Sequence, residues 1–109
     1  MSEDLDAGAV LEEIAEGNLK AWEFLAVVNV ASMEASGLDP ETLMLVRIAA
    51  LAAMDAPEAS WSANLEVAAE TDLSIEQVRG ALMAVAPLIG TPRVISAAGK
   101  IQQAFRQAQ

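Results

Sequence analysis

Arg47 is the residue of this sequence best placed to do chemistry. It lies in a segment, residues 42–54, whose other residues after Thr42 are all apolar. An unpaired buried charge is very costly, so Arg47 must reach solvent, pair with an acid such as Glu66 or Glu70, or bind an anion. Because a guanidinium holds a carboxylate through two parallel hydrogen bonds, Arg47 is a candidate anchor for a small carboxylate ligand. A structural ion pair or a subunit-contact arginine is the alternative.

Aromatic and polar side chains follow on the next predicted helix. Trp61 could direct its indole N–H into a pocket or could belong to the core. Asn64 lies on the same side of that helix and could orient a carbonyl or lactone, or could satisfy a backbone group. Ser60 and Ser62 flank Trp61, but no histidine or lysine lies near them in sequence to activate a nucleophile.

Arg79 offers a second route to anion binding if it converges on Arg47, and is otherwise a surface or interface charge. The sequence therefore predicts a ligand site made of Arg47, Trp61, Asn64, Ser60 and Arg79. Within that site, Asn64 and Arg47 are the catalytic candidates.

The composition excludes several kinds of chemistry. The chain contains no cysteine, histidine or tyrosine. Disulfides, thiol catalysis and thiolate metal sites are therefore impossible, and the commonest general base and metal ligand is missing. The acids show no EF-hand spacing, so we expect neither a metal nor a cofactor. A net charge of −10 argues against nucleic acid as a partner, because that affinity comes largely from Lys and Arg.

The charges are unevenly distributed. Residues 1–23 contain seven acids and one lysine, whereas residues 91–109 contain three basic residues and no acid. This contrast is typical of a solvated acidic segment, or of an acidic start packed against a basic end within a chain or across subunits. An acidic start is unlike a signal peptide, and no apolar run reaches the roughly 20 residues needed to span a bilayer. We expect a soluble cytoplasmic protein with no membrane partner.

The pattern predicts an all-α fold of about six helices. Two N-terminal helices are predicted over residues 7–16 and 19–36, with Asn18 capping the second and Gly37 ending it. Four more begin at the cap signals Asp39-Pro40, Asp55-Ala-Pro-Glu58, Ser74-Ile-Glu-Gln77 and Thr91-Pro92. Pro87 is expected to kink or end the fifth helix, since it removes a backbone hydrogen bond.

The third predicted helix, which begins at Asp39-Pro40 and contains the apolar residues 42–54, has no polar face beyond its first turn. A helix that is apolar all round must be surrounded, and 109 residues provide little material to surround one. We therefore expect other subunits of a homo-oligomer to help cover it.

The order of the caps resembles the carboxymuconolactone decarboxylase and AhpD-like superfamily. The matching pieces are Leu38-Asp-Pro-Glu-Thr42, Ala56-Pro-Glu58, Asp72-Leu-Ser-Ile-Glu76 and Leu88-Ile-Gly-Thr-Pro92. The resemblance covers roughly residues 35–105 and implies an all-α domain, usually a trimer or hexamer with active sites near subunit contacts. We interpret residues 1–109 as one helical domain, with N-terminal helices over 1–34 and a family-like core over 35–105.

The sequence departs from the peroxidase branch of that superfamily. AhpD-like peroxidases carry a Cys-x-x-Cys pair, a histidine and a glutamate on the preceding helix. Alignment on the caps places Met44 at the glutamate, Asn64 at the histidine, and residues 57–61 at the cysteines. A disulfide-exchange peroxidase needs a thiolate, so this chain is not a thiol peroxidase.

Two hypotheses about function remain. The first is a cofactor-independent, decarboxylase-like lyase that holds a small carboxylate or lactone at Arg47, with Asn64 and Trp61 shaping the pocket. Decarboxylase-branch members usually keep the histidine, and Asn64 cannot shuttle a proton near neutral pH. The second is a non-catalytic helical oligomer that binds a small acid or a protein partner.

Overall fold

The computed structural model describes residues 7–16 and 19–108. This part of the chain contains six α-helices and no strand, which confirms the predicted all-α class. The helices are α1 (Ala7–Ala15), α2 (Leu19–Ser36), α3 (Pro40–Ala53), α4 (Glu58–Ala68), α5 (Ile75–Ile89) and α6 (Thr91–Ala108). None of the described helices is both long and apolar enough to cross a lipid bilayer. The chain divides into two compact units, Met1–Leu38 and Asp39–Gln109.

The first unit consists of α1 packed on α2. Ser36 closes the end of α2, since its hydroxyl donates to the Met33 carbonyl at 2.8 Å and accepts from the Leu38 N–H at 3.1 Å. Gly37 follows with φ of 67°, the left-handed conformation predicted for it. The start of α2 at Leu19 agrees with the prediction, but its predicted cap, Asn18, lies outside the described residues.

The second unit is organised around α3, which packs against α4, α5 and α6. One side of α3 is completely buried, and Ile48 has an exposed fraction of 0%. The hydrophobic core of this unit is formed by side chains from all four helices and from the α3–α4 connection. Its buried members are Ile48, Leu51, Ala52, Ala56, Trp61, Leu65, Val78, Leu82, Ala97 and Ile101. Val46, two residues before Ile48 and therefore on another side of α3, is 54% exposed. Within the second unit, α3 is thus covered on its core side and open on another.

Two of the predicted caps form as expected. Asp39 caps α3, with one carboxylate oxygen accepting from the Thr42 N–H at 2.9 Å and the other from the Thr42 hydroxyl at 3.0 Å. Ser74 and Gln77 form a capping box at the start of α5: the Ser74 hydroxyl accepts from the Gln77 N–H at 3.1 Å. The Gln77 side chain in turn accepts from the Ser74 N–H at 2.9 Å.

The predicted cap at Asp55 is wrong. Pro57 occupies the N-cap position of α4 and makes no side-chain cap hydrogen bond. Asp55 instead adopts a positive φ of 50°, and one of its carboxylate oxygens accepts from the Ser96 hydroxyl at 2.7 Å and the Lys100 ammonium at 3.1 Å. Ser96 and Lys100 are one turn apart on α6, so both reach the same oxygen. An aspartate cap would also be charge-assisted, but the Lys100 bond adds the attraction between two opposite charges.

The ends of α4 and α5 differ slightly from expectation. Helix α4 ends at Ala68, before the predicted Glu70. Helix α5 continues two residues beyond Pro87 to Ile89, and Gly90 then breaks it with φ of 91°. Arg93 donates to the Ile89 carbonyl at 3.2 Å, which satisfies one of the last acceptors of α5.

Candidate functional site

Trp61 lies in the core of the second unit and is 1% exposed. It is positioned by α4, on which Trp61, Leu65 and Ala68 form the buried side. Its indole N–H has no hydrogen-bond partner among the described residues. A buried donor left unpaired loses the solvation it had in water, so this N–H would favour any acceptor that reached it.

Asn64 is half-buried on the same helix, and its side chain is occupied within that helix. Its amide nitrogen donates to the Ser60 carbonyl, one turn earlier, at 2.9 Å. The observed bond is the backbone-satisfying arrangement that the sequence left open as an alternative. The amide oxygen of Asn64 makes no hydrogen bond to a described residue and keeps its capacity to accept one.

Arg47 is half-buried on α3, one turn from each of the buried residues Leu43 and Leu51. Arg47 is not without an interaction partner. The ion pair with Glu66 or Glu70 that the sequence suggested is not formed, although all three residues belong to the described part of the chain. Because Arg47 is half-buried, its guanidinium is partly desolvated. A guanidinium in such a position interacts with an anion more strongly than it does in water.

Arg79 is exposed on α5, the helix that packs against the Arg47 helix. Ser60 is half-buried, and its backbone carbonyl accepts the hydrogen bond from the Asn64 side-chain amide. The structure therefore joins Asn64 to Ser60, buries Trp61 in the core, and places Arg47 and Arg79 on neighbouring helices.

Two cavities are lined by described residues of the second unit. The larger, about 550 Å³, lies between α4 and the end of α6 and is lined by Ser62, Leu65, Glu66, Ala69, Glu70, Ala104 and Phe105. The smaller, about 50 Å³, shares Leu65, Ala69 and Phe105 with it. Neither is lined by Arg47, Trp61, Asn64, Ser60 or Arg79. Of the serines that flank Trp61, Ser62 lines the larger of these two cavities and Ser60 lines neither.

Sequence reasoning missed the polar cluster of Asp55, Ser96 and Lys100. Lys100 also donates to the Ala56 carbonyl at 2.8 Å, so the cluster ties the α3–α4 connection to α6. The hydrogen bond from Ser96 and then the bond and charge of Lys100 hold the pKa of Asp55 below its usual value. The spacing of Ser96 and Lys100 shows that they share a side of α6, but nothing local points to an acid more than 40 residues away.

Asp39 shows the same effect at the start of α3. The N–H and hydroxyl of Thr42 donate to its carboxylate and lower its pKa. No cluster of three or more acidic side chains in the described part of the chain is arranged to hold a metal ion.

Residues 23–103 match the model of the carboxymuconolactone decarboxylase family, a match that begins in α2 and ends in α6. The chain belongs to this family. Membership of the carboxymuconolactone decarboxylase family confirms the resemblance that the caps indicated. The family match begins twelve residues before the predicted start of the family-like core at residue 35 and includes most of α2. No curated protein and no solved structure matches the chain.

Proposed function

We propose that this protein is a thiol-independent member of the carboxymuconolactone decarboxylase family that binds a small carboxylate or lactone beside Arg47. The observation that carries the proposal is the half-buried position of Arg47 between Leu43 and Leu51 on the central helix of the family core. A guanidinium in such surroundings binds a carboxylate bidentately and is less screened by water than a surface arginine. The complete absence of cysteine excludes thiol chemistry at this site.

The proposed reaction is a decarboxylation that needs no cofactor. The bond between the ligand's carboxylate carbon and its neighbouring carbon breaks, carbon dioxide leaves, and the electron pair remains as an enolate. Arg47 stabilises that developing negative charge, and Asn64 and Trp61 orient the ligand's carbonyl or lactone. The proton that completes the product comes from water, since the side chains of Asn64 and Trp61 are not acids that could supply it.

The proposal includes assembly into a homo-oligomer, a trimer or a hexamer. The family resemblance implies active sites near subunit contacts, and α3 carries Arg47 on a helix with an open side at Val46. A ligand site at a subunit contact would be completed by a neighbouring copy. Arg47 lines neither of the two cavities described above in the second unit.

A thermal-shift screen against small carboxylic acids and lactones tests the proposal. The screen compares wild type with Arg47→Ala and with Arg106→Ala, a control that removes an exposed arginine from α6. A ligand at 100 times its Kd adds about 2.7 kcal/mol to the folded state, which is easily measured. We expect a stabilising acid whose effect is kept in Arg106→Ala and lost in a folded Arg47→Ala. Equal stabilisation of all three proteins would contradict the proposal.

A specific observation favours a second candidate, a non-catalytic helical oligomer that binds a small acid or a protein partner. The amide nitrogen of Asn64, which stands where the family's peroxidase branch has its histidine, is already bonded to the Ser60 carbonyl. Product analysis after incubation with the stabilising acid separates the two candidates. Release of carbon dioxide supports the lyase, and unchanged acid supports the binding protein. A monomeric mass in sedimentation would contradict the oligomer in both.

A further inference from the structure

The groove between α4 and α6 has one polar side and one apolar side. Ser62 and Glu66 lie one turn apart on α4, and Glu70 follows in the turn after the helix. Leu65 and Ala69 lie beside this polar row, and Ala104 and Phe105 of α6 form the opposite wall. An occupant that matches this surface must itself be amphipathic.

The negative charge on the polar side of the groove favours a positively charged occupant. Neither Glu66 nor Glu70 is ion-paired or hydrogen-bonded through its carboxylate to a described residue. Both residues are exposed and line the groove. An anion here would be repelled, whereas a cation would meet two uncompensated negative charges. The net charge of −10 adds a long-range attraction for cations.

The apolar side adds a second preference for a cation. The Phe105 side chain is 41% exposed and lines the groove, so part of it is open to an occupant. The face of an aromatic ring attracts an ammonium group, and apolar ligand atoms would cover Leu65, Ala69 and Ala104. The volume of about 550 Å³ falls within the range of small-molecule pockets, roughly 300–1,000 Å³.

We propose that this groove is a binding site for a small organic cation, an apolar or aromatic body that carries a protonated amine. Glu66 and Glu70 hold the ammonium group, the Phe105 ring lies beside it, and Leu65 contacts the apolar body. The site is independent of the carboxylate site proposed beside Arg47, because the two share no residue and favour opposite charges. Failure of one proposal therefore leaves the other standing.

An NMR titration of the ¹⁵N-labelled full chain with phenethylammonium tests the proposal, with phenethyl alcohol as the uncharged counterpart. We expect saturable shifts of the Leu65, Ala69 and Phe105 amides with the amine, and weaker shifts with the alcohol. The double variant Glu66→Gln/Glu70→Gln keeps the shape of the side chains and removes both charges. We expect it to bind the amine roughly two- to thirtyfold more weakly, the range for two exposed ion pairs.

The matched control is Glu58→Gln/Glu76→Gln. It removes the same number of charges from exposed positions that do not line the groove. Its affinity for phenethylammonium should stay within about twofold of wild type, since only the long-range field changes. The proposal is overturned if the groove variant and the control bind the amine equally well, if the alcohol binds as tightly as the amine, or if the shifts fall outside the groove. Absence of saturable binding to wild type would also overturn it.

Discussion

Helices α2 and α3 are both rich in apolar residues but bury them to very different extents. On α2, residues 24–33 are apolar apart from Asn29 and Ser32, yet Val27 is 66% exposed. On α3, Ile48 is 0% exposed. The difference follows from the neighbours: α3 packs against three helices of its unit, whereas α2 packs on the short helix α1. An apolar composition therefore makes the burial of a helix favourable, but burial is achieved only where other helices pack against it.

Most of α2 belongs to the part of the chain that matches the family. The family match begins at residue 23, four residues after the first residue of α2. A row of exposed large apolar side chains is typical of a surface that a partner covers: Phe24, Leu25, Val27, Val28 and Val30. A second copy of the chain is the partner that the proposed oligomer supplies.

The largest effect is expected from substitutions that compare the two helices directly. Ile48→Ala should lower the free energy of unfolding by about 2–5 kcal/mol, because it leaves a cavity in a closed core. Val27→Ala should change it by less than about 0.5 kcal/mol in the dissociated chain, as at other exposed positions. Urea unfolding followed by circular dichroism measures both values.

Protein concentration sharpens this first comparison. In the proposed oligomer, the loss caused by Val27→Ala should grow as the concentration rises, since a contact between subunits would stabilise the fold by mass action. The loss caused by Ile48→Ala should depend little on concentration. If Val27→Ala destabilises the dissociated chain as strongly as Ile48→Ala, then α2 is buried within its own chain and the comparison fails.

A smaller effect is expected at low pH, from the carboxylate that ties α3 and α4 to α6. The pKa of Asp55 is lower in the folded chain than its usual value of 3.8. Its stabilising contribution is therefore complete above pH 3.8 and is lost as the pH falls through the folded-state pKa. Asp55→Asn should make the unfolding free energy less dependent on pH in this acidic range, because the amide does not titrate.

Asp72→Asn is the control for the pH experiment. The carboxylate of Asp72 makes no hydrogen bond to a described residue, so this variant should keep the pH dependence of wild type. Asp39 has a lowered pKa as well, so some pH dependence should remain in Asp55→Asn. Identical pH profiles for wild type and Asp55→Asn would show that the tie to Ser96 and Lys100 does not stabilise the fold.

The smallest effect is expected at Val46, the exposed position of α3. Val46→Ala should be neutral or stabilising by up to about 0.5 kcal/mol in the dissociated chain, because alanine has the higher helix propensity. Thermal unfolding of a dilute sample measures this difference. A loss of more than about 1 kcal/mol there would mean that α3 is covered on this side by its own chain.

The helices could be predicted from the sequence because their signals are local. The Asp39 cap and the Ser74–Gln77 capping box each involve residues three apart, and both formed as predicted. Asp55 has the same kind of local signal but is used by Ser96 and Lys100, which are distant in sequence. Local patterns identify what a residue can bond, and tertiary packing decides which bond forms.

The candidate site was less predictable for the same reason. Trp61, Asn64 and Arg47 were singled out by residue type and helical spacing. Their surroundings depend on how α3 and α4 pack, which no local pattern records. The sequence offers Glu66 as a partner for Arg47, whereas the structure places Glu66 on a groove with Phe105, 39 positions later in the sequence.

The most direct test of the proposed function is the affinity of the stabilising acid found in the thermal-shift screen for wild type and for Arg47→Gln, measured by isothermal titration calorimetry. Gln keeps a polar side chain at the position and removes the charge that holds a carboxylate. If Arg47 anchors the ligand, the variant should bind roughly 10- to 150-fold more weakly, the range for losing hydrogen bonds to a charged group. An unchanged melting temperature in the absence of ligand would show that the variant is folded. Equal dissociation constants for two folded proteins would contradict the assignment of Arg47 as the carboxylate anchor.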